Sequence, residues 1–196
     1  NYTDNLYHFR QDSTWLYFFG VSLPGLAAII DVDAGRTVVF GDDLTLDDIV
    51  WTGPQPSVAE LAARAGVHDT APASAFAAAI RTARTQGRTI RFLPPYRGEH
   101  RLKLADALGL SAIDTAAGAS VDFIRAVVEM RVIKSPEEIA EIDRAVDVSV
   151  DMHVAAMAMV RPGLRESDIA AEVTKIALAA GGELSFPVIA TIHGEP

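Results

Sequence analysis

Apolar positions along this chain fall into two rhythms. Near the front they run continuously over short stretches, as in strands covered on both faces. Further on they recur every three or four residues, as on one face of a helix. Residues 14–19, Thr-Trp-Leu-Tyr-Phe-Phe, are β-branched or aromatic and stop at Gly20, which predicts a strand. Leu23-Pro24-Gly25 is turn chemistry. Residues 26–32 and 36–41 flank Asp33-Ala34-Gly35 and predict a hairpin. Both of its strands are apolar at nearly every position, so both faces are expected to be covered.

Ser57 opens the first predicted helix, with Glu60 in the reciprocal capping position and Gly66 past its end. An Ala-rich helix follows over residues 74–86, closed by Gly87. Residues 88–93, Arg-Thr-Ile-Arg-Phe-Leu, read as a returning strand stopped by Pro94-Pro95. Residues 99–108 are helical up to Gly109. Together these elements make a mixed α/β domain over residues 1–120, an ordinary domain size. Gly118-Ala119-Ser120 marks a break. A helix is predicted over 121–133. Another starts at Ser135-Pro136-Glu137-Glu138, with Ser at the cap and Pro at the first helical position. Ile139, Ile142, Val146, Val150 and Met157 form its apolar stripe. Arg161-Pro162-Gly163 breaks it, and residues 166–180 form the next helix. Phe186 to Ile192 reads as an apolar strand running into a turn. The chain starts at Asn1 rather than Met, and a second domain has only begun over residues 121–196. The expectation is therefore the front part of a longer protein.

Composition narrows the class. With 196 residues and 49% hydrophobic side chains, the chain has material for a real core. Its formal charge of −9, with arginines spread out, argues against a nucleic-acid partner. There is no cysteine, so disulfides, zinc–thiolate sites and thiol nucleophiles are excluded. The lack of cysteine suits a cytoplasmic protein. No apolar run approaches the roughly 20 residues of a membrane span.

Candidate chemistry is sparse. His8, His68, His100, His153 and His193 form no HxH or HxxxH pair, so each reads as a surface or packing residue. Gly20-Val21-Ser22-Leu23-Pro24 is like a nucleophile elbow without its second glycine, and reads as a loop. Asp31 and Asp33, and the acidic run Asp42, Asp43, Asp47 and Asp48, read as turn formers at strand ends. No phosphate-binding glycine motif is present. Trp51 lies among turn formers, in Asp48-Ile49-Val50-Trp51-Thr52-Gly53-Pro54. Either its ring folds back onto its own domain, or it is displayed to a ligand or partner subunit.

Several segments, in order, resemble one family. Tyr7-His8-Phe9-Arg10-Gln11-Asp12-Ser13, followed by Trp15 to Gly20, is similar to the N-terminal signature of aminopeptidase P, the Xaa-Pro aminopeptidases. Trp51-Thr52-Gly53 matches that domain's Trp-x-Gly element. Met130 to Ile139 resembles the Arg-x-Ile-Lys segment that opens the catalytic domain, which prolidases and creatinases share. His153, Arg161-Pro162-Gly163 with Glu166, and Phe186-Pro187-Val188-Ile189 resemble the stretches that follow.

The resemblance implies an α/β fold: a mixed-sheet creatinase/prolidase N-terminal domain, then the first helices of a truncated pita-bread metallopeptidase domain. It implies an enzyme that, at full length, releases the first residue of peptides with proline second, using two Mn²⁺. The family's five metal ligands fall beyond Pro196, so no catalytic or metal residue is assigned here and the fragment itself is expected to be inactive. It implies proline-containing peptides as substrates and a homo-oligomer, dimer or tetramer. By the same resemblance Trp51 and Asp4 would be substrate-side residues, acting in a neighbouring subunit's cleft. The rival readings are a prolidase taking dipeptides, and a peptidase-like module that only binds peptides or proteins.

Overall fold

The computed structural model describes residues 9–192. Contacts divide the chain into two compact units, one ending at Arg125 and one beginning at Ala126. In the first unit the hairpin forms as expected. Strands β1 (Ala27–Asp31) and β2 (Arg36–Phe40) pair antiparallel, with Ala28 opposite Val39 and Asp31 opposite Arg36. A three-residue strand, β3 (Asp69–Ala71), joins β2 in parallel, giving the sheet order β1-β2-β3. The sequence reading lacked β3, because three residues are too few to show a period.

The central strand is covered on both faces, and its alternation shows how. Val39 packs with Val58, Ala62 and Val67, joined by Trp15 and Phe19. Its neighbour Phe40 points the other way, into Phe76, Ile80, Ala107 and Leu108. The first cluster sits under helices α1 (Ser13–Phe19) and α3 (Val58–Arg64). The second sits under α4 (Ala75–Thr85) and α5 (Gly98–Leu108). Phe40 and Phe76 meet edge to face with centroids 5.5 Å apart, a favoured aromatic geometry. Gly41, just past β2, lies close against the side-chain ends of Leu26 and Val58. A Cβ there would come within 2.4 Å of Leu26 Cδ2 and 3.2 Å of Val58 Cγ2.

Three expected strands are corrected. Residues 14–19 form helix α1, not a strand. Asp12 caps it by accepting from the backbone N–H groups of Thr14 and Trp15, and Gly20 closes it in the left-handed conformation, φ 63°. The cap at each end overrides the aromatic β propensity. Helical spacing also stacks Trp15 on Phe19, centroids 4.3 Å apart, over the sheet. Residues 88–93 are extended but join no ladder. Ile90 and Phe92 still alternate into the Phe40 cluster. Arg88 grips Asp31, and Phe92 O accepts from Ser120 N at 3.0 Å. Residues 186–192 also form no strand. The second unit offers them no strand to pair with among the described residues, and Phe186, Ile189 and Ile192 stay exposed.

Two helices missing from the sequence reading are α2 (Leu46–Thr52) and α6 (Ala112–Ala117), both with side-chain N-caps, Thr45 and Ser111. Helix α7 (Val121–Val132) spans the division between the units. In the second unit, α8 (Pro136–Met159) packs on α9 (Glu166–Ala179). Ser135 caps α8 in the predicted reciprocal box with Glu138, with Pro136 at the first turn. No residue of α8 is fully buried, and its stripe from Ile139 to Met157 remains about half exposed or more.

Candidate functional site: the aromatic helix after β2

Trp51 stands on α2, a helix where the turn formers around it suggest a turn. The signal was present in the Thr45-x-x-Asp48 spacing. Asp48 N donates to Thr45 Oγ1 at 3.2 Å, and Asp48 Oδ2 accepts from the Thr45 hydroxyl at 2.6 Å and its N–H at 2.9 Å. These bonds, the hydroxyl first, hold the Asp48 carboxyl below the usual carboxylate range. Gly53 ends the helix with φ 76°, its N–H returning to Ile49 O at 2.9 Å.

The indole is carried on a capped helix of about two turns. The ring does not fold back onto its own domain, for Trp51 is 78% exposed. Leu46 and Val50, one helical turn apart, are exposed on another side of the same helix at 82% and 80%. These two neighbours were not singled out from the sequence; with α2 unrecognised, their shared face could not be seen. Asp47 and Asp48 lie on the first turn of the same helix.

The other acidic residues have structural work. Asp43 Oδ1 accepts from Val58 N at 2.7 Å, and Asp42 Oδ1 from Ala73 N at 3.0 Å. They tie the end of β2 to the starts of α3 and of the turn before α4. Asp31 takes a bidentate grip from Arg88, which also reaches Asp33 at 2.9 Å. Arg88 first, and the Ala34 N–H second, lower the Asp31 carboxyl to about 2. Gly20 to Pro24 is a cap and turn: Val21 O accepts from the Trp15 indole at 2.8 Å, and Leu23 O from Gln11 Nε2 at 3.0 Å.

Asp4, His8 and His193 lie outside the described residues. Trp51 and Asp4 are thus not brought together by anything described. His153 sits on α8 with Nδ1 2.7 Å from Ser149 O, a local helix contact. Among the described residues no group of three or more His, Asp or Glu side chains is placed to hold a metal ion. The described residues do not offer the donor set of a dinuclear metal centre. No helix among the described residues is long and apolar enough to cross a membrane.

Comparison with known proteins finds relatives of this chain. Residues 1–90 match the family described as aminopeptidase P, N-terminal domain. The Xaa-Pro aminopeptidase of Escherichia coli (strain K12) is 27% identical over 183 residues, covering 87% of this chain and 40% of that protein. The Xaa-Pro dipeptidase of Homo sapiens is 24% identical over 196 residues, covering 92% of this chain and 36% of its own length. Among solved structures, zinc-substituted E. coli aminopeptidase P in complex with product superposes with a TM-score of 0.69 at 25% identity, over 92% of this chain and 43% of that one. The chain therefore spans about 40% of the length of the curated relatives it matches.

Proposed function

We propose that this chain, whose residues 1–90 match the family described as aminopeptidase P, N-terminal domain, is the N-terminal portion of a metal-dependent Xaa-Pro aminopeptidase. The supporting observation is that likeness to these enzymes runs over about 90% of the chain, well past residue 90. In this reading the first unit shapes substrate access and builds a homo-oligomer. Trp51 reaches a neighbouring subunit's cleft, where its ring covers part of a proline-containing peptide and keeps water from the reacting bond. Asp4 acts on the same cleft. The metals, two Mn²⁺ in this reading, would be held by residues of the longer protein. They would activate water and stabilise the charge that develops on the scissile carbonyl. The whole protein would work in the cytoplasm.

The likeness to a dipeptidase favours one second reading, a prolidase. Both are tested by expressing the whole reading frame that contains this sequence. Its purified product is assayed with Mn²⁺ against a tripeptide with proline second and against an Xaa-Pro dipeptide. Release of the first residue from the tripeptide, abolished by a chelator, is expected. Turnover of the dipeptide alone would assign a prolidase. Peptide binding without turnover of either would leave a non-catalytic module. The 196-residue chain alone is expected to turn over neither.

A further inference from the structure

A cleft of about 420 Å³ opens at the end of the sheet where β2 and β3 begin. Its lining includes Phe18, Phe19, Ile30, Arg36, His68 and Asp69. It exists because the covering helices are short. α1 and α3 have seven residues each, about 10 Å of helix. They cover Ala28 and Val39. The Ile30–Thr37 pair, next on the same face, is left partly bare, with Ile30 50% exposed. The volume lies within the range of small-molecule sites, and its mixed apolar and polar lining is of their kind.

The polar side of the cleft is ordered. Arg36 Nε donates to Asp69 Oδ2 at 2.6 Å. That bond holds the guanidinium by one edge, and the side chain has no other hydrogen bond among the described residues. Its two terminal amino groups are therefore available. His68 is exposed and has no hydrogen-bond partner among the described residues. A guanidinium with an open edge is a fork for a carboxylate. Beside it lie two phenyl rings and a partly bare isoleucine. Each ring is already packed against another aromatic, Phe19 on Trp15 and Phe18 on Tyr17.

We propose that this cleft binds a small carboxylate carrying an apolar or aromatic body, its anionic end on Arg36 and His68 and its body on Phe18, Phe19 and Ile30. Two natural sources share that chemistry: a free apolar amino acid and the C-terminal residue of a peptide. The proposal does not rest on the peptidase reading.

The experiment is an NMR titration of the ¹⁵N-labelled chain with three probes: N-acetyl-L-phenylalanine, its amide, and L-phenylalanine. Saturable shifts are expected at the amides of Thr37, Val67, His68 and Asp69 with the first probe. Its amide, which lacks the anion, should bind at least about tenfold more weakly. L-Phenylalanine binding as well as the acetylated acid would assign free amino acids; preference for the acetylated acid would assign peptide C-termini. Either supports the site. Arg36→Gln should lose the acid's advantage over the amide, and Arg36→Lys should keep part of it, since it retains charge without the fork. Equal affinity of acid and amide for the unmodified chain would overturn the proposal, as would an absence of saturable shifts at these four amides. Neither outcome depends on a variant folding.

Discussion

Arg88 and Asp31 show how one ion pair acts as a joint. The bidentate grip fastens the segment after α4 to the last residue of β1. The Asp31 carboxyl titrates at about 2, below its ordinary 3.8, chiefly because of Arg88. A carboxyl lowered in the folded state contributes stability above its ordinary value, and that contribution fades as pH falls from about 4 towards 2. The expected outcome is a steep acid limb in the melting temperature between pH 4 and 2. Arg88→Met should flatten that limb and lower stability at neutral pH. An acid limb of unchanged steepness in the variant would show that other carboxyls set it. Trp51 belongs to the same scale. Under the proposed function, Trp51→Ala in the whole protein is expected to cost about 1–3 kcal/mol in kcat/KM, the range of an interface aromatic. The melting temperature should barely move, because a ring that is 78% exposed adds little to its own core. Unchanged kinetics would remove Trp51 from the cleft.

At the scale of elements, α1 is the instructive case. It is only seven residues long with no fully buried residue, so its caps and the Trp15–Phe19 pair must hold it. Asp12→Ala removes two hydrogen bonds from its first turn. The expected cost is about 1 kcal/mol of domain stability, read by denaturant unfolding. No change would mean that tertiary packing alone holds the helix. The opposite case is residues 186–192, whose apolar run finds no partner strand. Ile192 N donates to Glu166 Oε1 at 2.8 Å. A chain segment so exposed should be the first to open. Limited proteolysis is therefore expected to cut between Ala180 and Ile192 before it cuts the sheet or α4. Early cleavage inside residues 27–85 would reverse that order.

Across the whole molecule, the two units differ in what they bury. The first closes two apolar clusters around β2, and Phe40, Val39 and Ala107 are nearly or fully inaccessible. Phe40→Ala should therefore cost about 3–5 kcal/mol, measured by denaturant unfolding followed through the first unit's signals. The second unit buries little. Between α8, α9 and residues 180–190 it leaves a groove of about 1140 Å³, lined by Ile142, Val146, Val173 and Phe186 among others.

Local codes were legible in the sequence. Reciprocal caps such as Ser57 with Glu60 and Ser135 with Glu138 are one case; the Asp33-Ala34-Gly35 turn and helical stripes such as that of α8 are others. Each needs only residues a few positions apart, so the chain alone determines it. The family likeness was legible too, from short segments spread along the chain. What sequence could not decide was pairing. Residues 14–19, 88–93 and 186–192 all carry strand-like residues, and none joins a ladder. A strand is defined by a neighbour's hydrogen bonds, and only the folded chain says which neighbours exist. The same reason hid the Arg88–Asp31 joint and the Arg36–Asp69 pair, whose partners lie 57 and 33 residues apart. It also left open whether Trp51 turns inward, a choice made by a seven-residue helix and its cap.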